Sequence, residues 1–222
     1  MVAIMDGVGG PKNAVKAADG LMAGPTDKGT FTVASCGQHS SKLYATWSKI
    51  RWGSPLKEEN GQVMVQHEGK WQPLSDVTPL TKENLLDYYE LLYEKRQLPD
   101  KWLFNDFGHQ TCYLFKDTDG DGKLGKKEKI HAEFFHTTPQ DEASEALGKK
   151  YTLSESHGCV HVRPPDLDLL VKKGYLKPGT KVVVHGYEEK LLPQAVSPGK
   201  APYEVHFYPG EKKIVVYGER QR

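Results

Sequence analysis

The chain has no long apolar run, no paired-cysteine motif and no excess of charge of either sign. Its most apolar stretches, such as residues 181–185, extend only a few residues, whereas a bilayer span needs about twenty. No membrane span is expected. Lys plus Arg number 30 against 29 Asp plus Glu; without a basic field to attract phosphates, nucleic acid is not an expected partner. Residues 1–19 lack a basic start followed by an apolar core and a small-residue cleavage site, so no secretory signal is read there and export by another route stays open. The three cysteines, Cys36, Cys112 and Cys159, form no close pair, which argues against a disulfide framework and against a CxxC metal or redox site. A Cys36–Cys112 bridge would need an oxidising compartment and a Cα approach that sequence alone does not show.

What is present is a series of short strand-like patterns and two helices. At 222 residues the chain suits one ordinary domain with appendages. Residues 1–24 read as an irregular leader rich in Gly, Ala, Lys and Asp, and the Gly24-Pro25-Thr26 turn leads into alternating Thr30-Phe31-Thr32-Val33. Short runs at 63–65, 113–115, 130–135, 181–185, 204–208 and 213–217 read as strands. Leu85, Tyr88, Tyr89 and Leu92 recur at helical spacing within 81–96, with Thr81 as N-cap. Residues 165–174 read as a second helix, opened by Pro165 and Asp166 and closed by Lys172, Lys173 and Gly174. The proline-rich connection 191–202 leads to a final hairpin, 204–217, turning at Pro209-Gly210. The fold class expected is mainly β with a few helices.

The most informative run is Ser154-Glu155-Ser156-His157-Gly158-Cys159-Val160-His161-Val162, which places a thiol beside a glycine and two histidines just before a helix start. A thiol attacks as thiolate, and a nearby imidazole can lower its pKa or accept its proton. Glycine at 158 lets a substrate approach the backbone, and successive N–H groups at Gly158 and Cys159 can receive the oxyanion of a tetrahedral intermediate. These are parts for acyl transfer. Two other readings stand beside it: a buried structural cysteine whose neighbouring histidines bond the backbone, and a zinc site using Cys159, His157, His161 and His136.

The run Ser156-His157-Gly158-Cys159, preceded by His136 within Phe134-Phe135-His136-Thr137-Thr138-Pro139, resembles the signature of the L,D-transpeptidase (YkuD-type) catalytic domain. Trp52-Gly53-Ser54-Pro55-Leu56 looks like that family's early turn, and Gly174-Tyr175-Leu176-Lys177-Pro178-Gly179-Thr180 like its passage after the cysteine. The resemblance implies a β-sandwich or barrel catalytic domain over residues 25–187, followed by a linker and C-terminal hairpin over 188–222. It implies Cys159 as nucleophile, His136 as base, the Thr137 carbonyl as orienter of the imidazole, His157 flanking the thiolate and Gly158 in the oxyanion hole. Ser156, His161 and Arg163 are the implied substrate contacts, peptidoglycan stem peptides the substrate, carbapenem-type compounds the inhibitors and the cell envelope the location. Catalysis by this set needs no cofactor.

Two features depart from the family pattern. Nineteen residues separate His136 from Ser156, a long spacer expected to form an enlarged loop, and His161 stands where Asn or Arg is usual. His131 is a competing base, ranked lower because alternation over 130–136 puts it on the opposite strand face from His136. If water rather than an amine resolves the thioester, the same site is an L,D-carboxypeptidase, as in a cell-wall-degrading effector. A catalytically decayed, calcium-dependent peptidoglycan-binding module is the rival from another class.

Residues 117–128 fit a twelve-residue calcium loop: Asp117, Asp119, Asp121 and Glu128 at the first, third, fifth and twelfth places, Gly122 at the sixth and the Lys123 carbonyl at the seventh. The flanking segments read as strands, so a single structural calcium clip is expected in place of an EF-hand helix pair. The plain alternative is a solvated Asp/Gly turn.

Overall fold

The computed structural model describes residues 1–41 and 46–220. Its strands in chain order are β1 (Ala3–Val8), β2 (Val15–Lys16), β3 (Met22–Ala23), β4 (Gly29–Gly37), β5 (Leu56–Glu59), β6 (Gln62–His67), β7 (Lys70–Pro73), β8 (Thr111–Phe115), β9 (Phe135–His136), β10 (Val160–Val162), β11 (Lys181–Val184), β12 (Gly199–Tyr208) and β13 (Lys213–Arg220). The helices are α1 (Leu74–Val77), α2 (Lys82–Tyr93), α3 (Pro139–Ala146) and α4 (Pro164–Lys172). Two compact units form: residues 1–36, 112–136 and 152–222 make one, residues 37–111 and 137–151 the other.

The first unit is built on a closed barrel of order β1-β10-β9-β8-β4-β11-β12-β13, so the mainly-β barrel expectation holds. Alternate residues point inward, as period-two patterning requires: Phe31 and Val33, Val182 and Val184, Val205 and Phe207, Ile214 and Val216 meet in one core with Leu167 and Leu170 of α4. Each such side chain contributes about 1.5–3 kcal/mol by leaving water. The final hairpin is β12 and β13, whose ladder runs from Gly199 to Arg220 with a register shift between Lys200 and Tyr203; it is part of the barrel wall.

The irregular leader expected over residues 1–24 is corrected by β1, which pairs antiparallel with β10 and β13. Its glycines mark close approach and not looseness: a Cβ at Gly7 would stand 2.5 Å from Ile214 Cδ1, and one at Gly10 would stand 1.8 Å from the Gly24 carbonyl oxygen. The strand expected over 130–135 is also shorter. Only Phe135 and His136 join the ladder, and Ile130 makes a single bridge to Phe115.

Cys36 on β4 and Cys112 on β8 form a disulfide with a Cα–Cα distance of 4.1 Å. The Cα approach that sequence alone does not show is supplied by the barrel, whose neighbouring strands bring together two residues 76 apart in sequence. Cys159 is the free cysteine.

In the second unit a β5-β6-β7 sheet and α1–α3 enclose Ile50, Val65, Leu85, Trp102 and Phe104, with Trp102 and Phe104 edge to face at 5.1 Å. The helix expected at 81–96 is α2. Thr81 caps it by accepting the Asn84 N–H at 3.2 Å while Asn84 Oδ1 accepts the Thr81 N–H at 2.9 Å. The spacer after His136 is not a plain loop: it carries α3, capped by Thr138, which accepts the Asp141 N–H at 3.1 Å, with Pro139 at its first position. Those start signals stand in the sequence beside the motif.

Candidate active site

Phe135 and His136 leave a turn as β9 and run parallel to β10, with Val160 opposite Phe135 and His161 opposite His136. Phe135, Val160 and Val162 point into the barrel core, so by alternation His136 and His161 share the other face. Both are buried, and their rings meet edge to face at 4.8 Å. Cys159 precedes β10 by one residue. It is partly exposed, and its Sγ lies 3.9 Å from the Ala132 carbonyl oxygen and within reach of the Phe134 N–H.

Burial pushes the Cys159 thiol up to about 11; the Phe134 N–H opposes the rise and the Glu133 carboxylate adds to it. The thiol is therefore neutral at rest, and its use as a nucleophile calls for a base. His161 is held neutral by burial. Its Nδ1 donates to the Ser154 carbonyl at 2.8 Å, which gives this residue a structural hydrogen bond in place of the Asn or Arg of the family pattern.

Ser156, expected at the substrate, is buried, and its hydroxyl donates to the Cys159 carbonyl at 2.5 Å and accepts the Gly158 N–H at 2.9 Å. It braces the turn, and the Gly158 N–H is engaged there. Gly158 matters through its backbone: φ is +140°, and a Cβ would stand 2.3 Å from Glu133 Oε1. His157, expected beside the thiolate, places Nε2 3.2 Å from Asp19 Oδ2. Thr137 is buried in the second unit, and its hydroxyl donates to Glu142 Oε1. Arg163 pairs with Asp6 at 3.4 Å and lines a cavity of about 260 Å³ with Thr152, Leu153 and Lys212.

His131 lies outside β9, so the strand alternation expected over 130–136 does not apply to it. Its ring packs on Phe31 at 4.7 Å, and its Nε2 faces Asp27 and Glu133. Glu133 escaped the sequence reading, because its partner Asp27 lies 106 residues away in the chain and leaves no local signal. Burial raises its carboxyl to about 7, against the Asp27 N–H it accepts.

Among the described residues, two groups have ligand atoms mutually within 4.8 Å: Asp27, His131 and Glu133, and Asp117, Asp119 and Glu128. The four-residue zinc set of Cys159, His157, His161 and His136 is not one of them. In the acidic loop, Asp117 accepts the Gly120 and Gly122 N–H groups and Glu128 accepts those of Thr118 and Gly125, each at 2.7–2.9 Å; the Gly125 and Thr118 bonds hold the Glu128 carboxyl below its ordinary range. Asp121 lies outside the converging trio and accepts the Lys123 N–H at 2.7 Å.

No helix of the described residues is long and apolar enough to cross a membrane. Searches of curated proteins and of solved structures return no match. The model of the L,D-transpeptidase catalytic domain, YkuD, matches residues 7–184. That span runs from β1 through β11 and includes the His136–Cys159 segment, and the chain accordingly belongs to the YkuD family of L,D-transpeptidase catalytic domains.

Proposed function

We propose that this chain is a cysteine-dependent L,D-transpeptidase that acts on peptidoglycan tetrapeptide stems, with Cys159 as nucleophile and His136 as base. The observation that supports it most is the β9–β10 register, which puts His136 against His161 on the strand that Cys159 leads into. Because the thiol is protonated at rest, its proton has to leave as sulfur reaches the carbonyl. His136 takes it and returns it to the departing D-residue nitrogen. A C–S bond forms as the amide C–N bond breaks, leaving an acyl thioester on Cys159. An amine acceptor then completes a cross-link, and water in its place gives L,D-carboxypeptidase action. With the Gly158 N–H given to Ser156, the Cys159 N–H is the donor suited to the oxyanion. His161, tied to Ser154, holds the His136 ring in place.

The family is associated with the cell wall. A site of action in the envelope is supported by the Cys36–Cys112 bridge, since such bonds persist in oxidising compartments. A calcium ion held by Asp117, Asp119 and Glu128 is a further part of the proposal, with Asp121 and the Lys123 carbonyl completing the oxygen set. The ion would stiffen the turn that feeds the segment leading to His136.

The test is mass spectrometry after incubation with a tetrapeptide donor and an amine acceptor, and separately with a carbapenem. Wild type should turn over donor and gain the carbapenem mass, and Cys159→Ala should do neither while keeping its melting temperature. His136→Ala should fall nearly as far, since nucleophile and base act as one unit. A larger loss in His131→Ala would name the wrong base, and inert wild-type protein would favour a binding module.

A further inference from the structure

Asp27, His131 and Glu133 stand together beside the Cys159 turn without being needed by the acyl-transfer proposal. His131 Nε2 is buried and makes no hydrogen bond. Asp27 Oδ2 lies 3.5 Å and Glu133 Oε2 3.7 Å from it, too far for hydrogen bonds. A buried imidazole nitrogen that falls just short of two carboxylates costs stability unless something occupies the gap. The separations fit an ion: ligands about 2.1 Å from a tetrahedral zinc lie about 3.4 Å apart.

We propose that Asp27, His131 and Glu133 form a three-ligand site for a divalent transition metal ion, zinc by its donor set, on the wall of the Cys159 turn. One imidazole and two carboxylates suit zinc better than calcium or magnesium, which take oxygen alone. The site is assembled before any ion arrives. The Asp27 N–H donates to Glu133 Oε2 at 2.7 Å, and Phe31 holds the His131 ring at 4.7 Å. Burial and the nearby Lys116 keep the imidazole neutral, the form that ligates, with Asp27 acting the other way. Two carboxylates offset the ion's charge, and a fourth position remains for water. Glu133 also links the ion to the active turn, since its other oxygen lies against Gly158.

Competition between the metal-free full chain and a chromophoric zinc chelator tests this without reference to catalysis. Wild type should bind one zinc at micromolar concentration or tighter. Asp27→Asn, at an exposed carboxylate, and His131→Ala should each weaken binding at least tenfold, with melting curves confirming that both fold. Cys159→Ser should still bind, which separates this site from capture by the thiol, and His185→Ala should still bind, which separates it from the His185–His206 pair at 2.9 Å. Absence of micromolar binding, or binding that survives both Asp27→Asn and His131→Ala, overturns the proposal.

Discussion

The state of the resting thiol is the sharpest consequence of the site, and raising the pH is the perturbation that exposes it. Burial moves Cys159 from 9.0 to about 11, which leaves about a hundredfold less thiolate at neutral pH. A more basic thiolate is intrinsically more reactive, with a Brønsted slope of about 0.4–0.5, so two units recover about tenfold. Alkylation at neutral pH should thus run about tenfold slower in the folded protein than in the urea-unfolded chain. Iodoacetamide under non-reducing conditions reads one thiol, because Cys36 and Cys112 are bridged. The rate, followed by intact mass, should climb about tenfold per pH unit from about pH 6 to about pH 10 without a plateau. A plateau below about pH 8, or folded protein reacting faster than unfolded, would mean a thiolate–imidazolium pair at rest. The argument that His136 removes the proton during attack would then fail.

Three further outcomes are expected. Cys36→Ser with Cys112→Ser should lower stability by up to about 4.5 kcal/mol on the loop-entropy estimate for a separation of 76, read as a lower urea midpoint; an unchanged midpoint would show that the bridge constrains little. Calcium should raise the melting temperature and Asp117→Ala should abolish the rise, by about 2.7 kcal/mol at a hundredfold excess over Kd, whereas millimolar calcium without effect leaves an Asp/Gly turn. For Glu133, the folded value of about 7 exceeds the ordinary 4.5, so the folded state binds more protons between them. Stability should therefore fall as pH rises through that window, by a fraction of about 3 kcal/mol once solvent screening is allowed for. Glu133→Gln should flatten that slope, and an equal slope in the variant would assign it elsewhere.

Local chemistry was legible in the chain. The Thr81 cap and the 85–92 stripe are α2, Pro165 to Gly174 marks α4, and the apolar alternation at 181–185 and 204–217 is barrel wall. The Cys159 run and the acidic loop were equally visible, because their residues are neighbours in sequence. Residues 3–8 were misread because glycines needed for close packing look the same in sequence as glycines needed for flexibility. Helix α3 was missed although Thr138 and Pro139 announce it.

The sequence by itself determined the secondary-structure class, the nucleophile candidate and the carboxylate spacing, all of which depend on contacts a few residues long. Only the tertiary structure decided the Cys36–Cys112 bridge, the pairing of His136 with His161, the engagement of Ser156 within its turn and the meeting of Asp27 with His131 and Glu133. The reason is physical: barrel closure and strand register depend on the whole apolar pattern, a one-residue slip would turn Cys36, Cys112, His136 and His161 to the other face, and the loop residues are placed by the strands they connect.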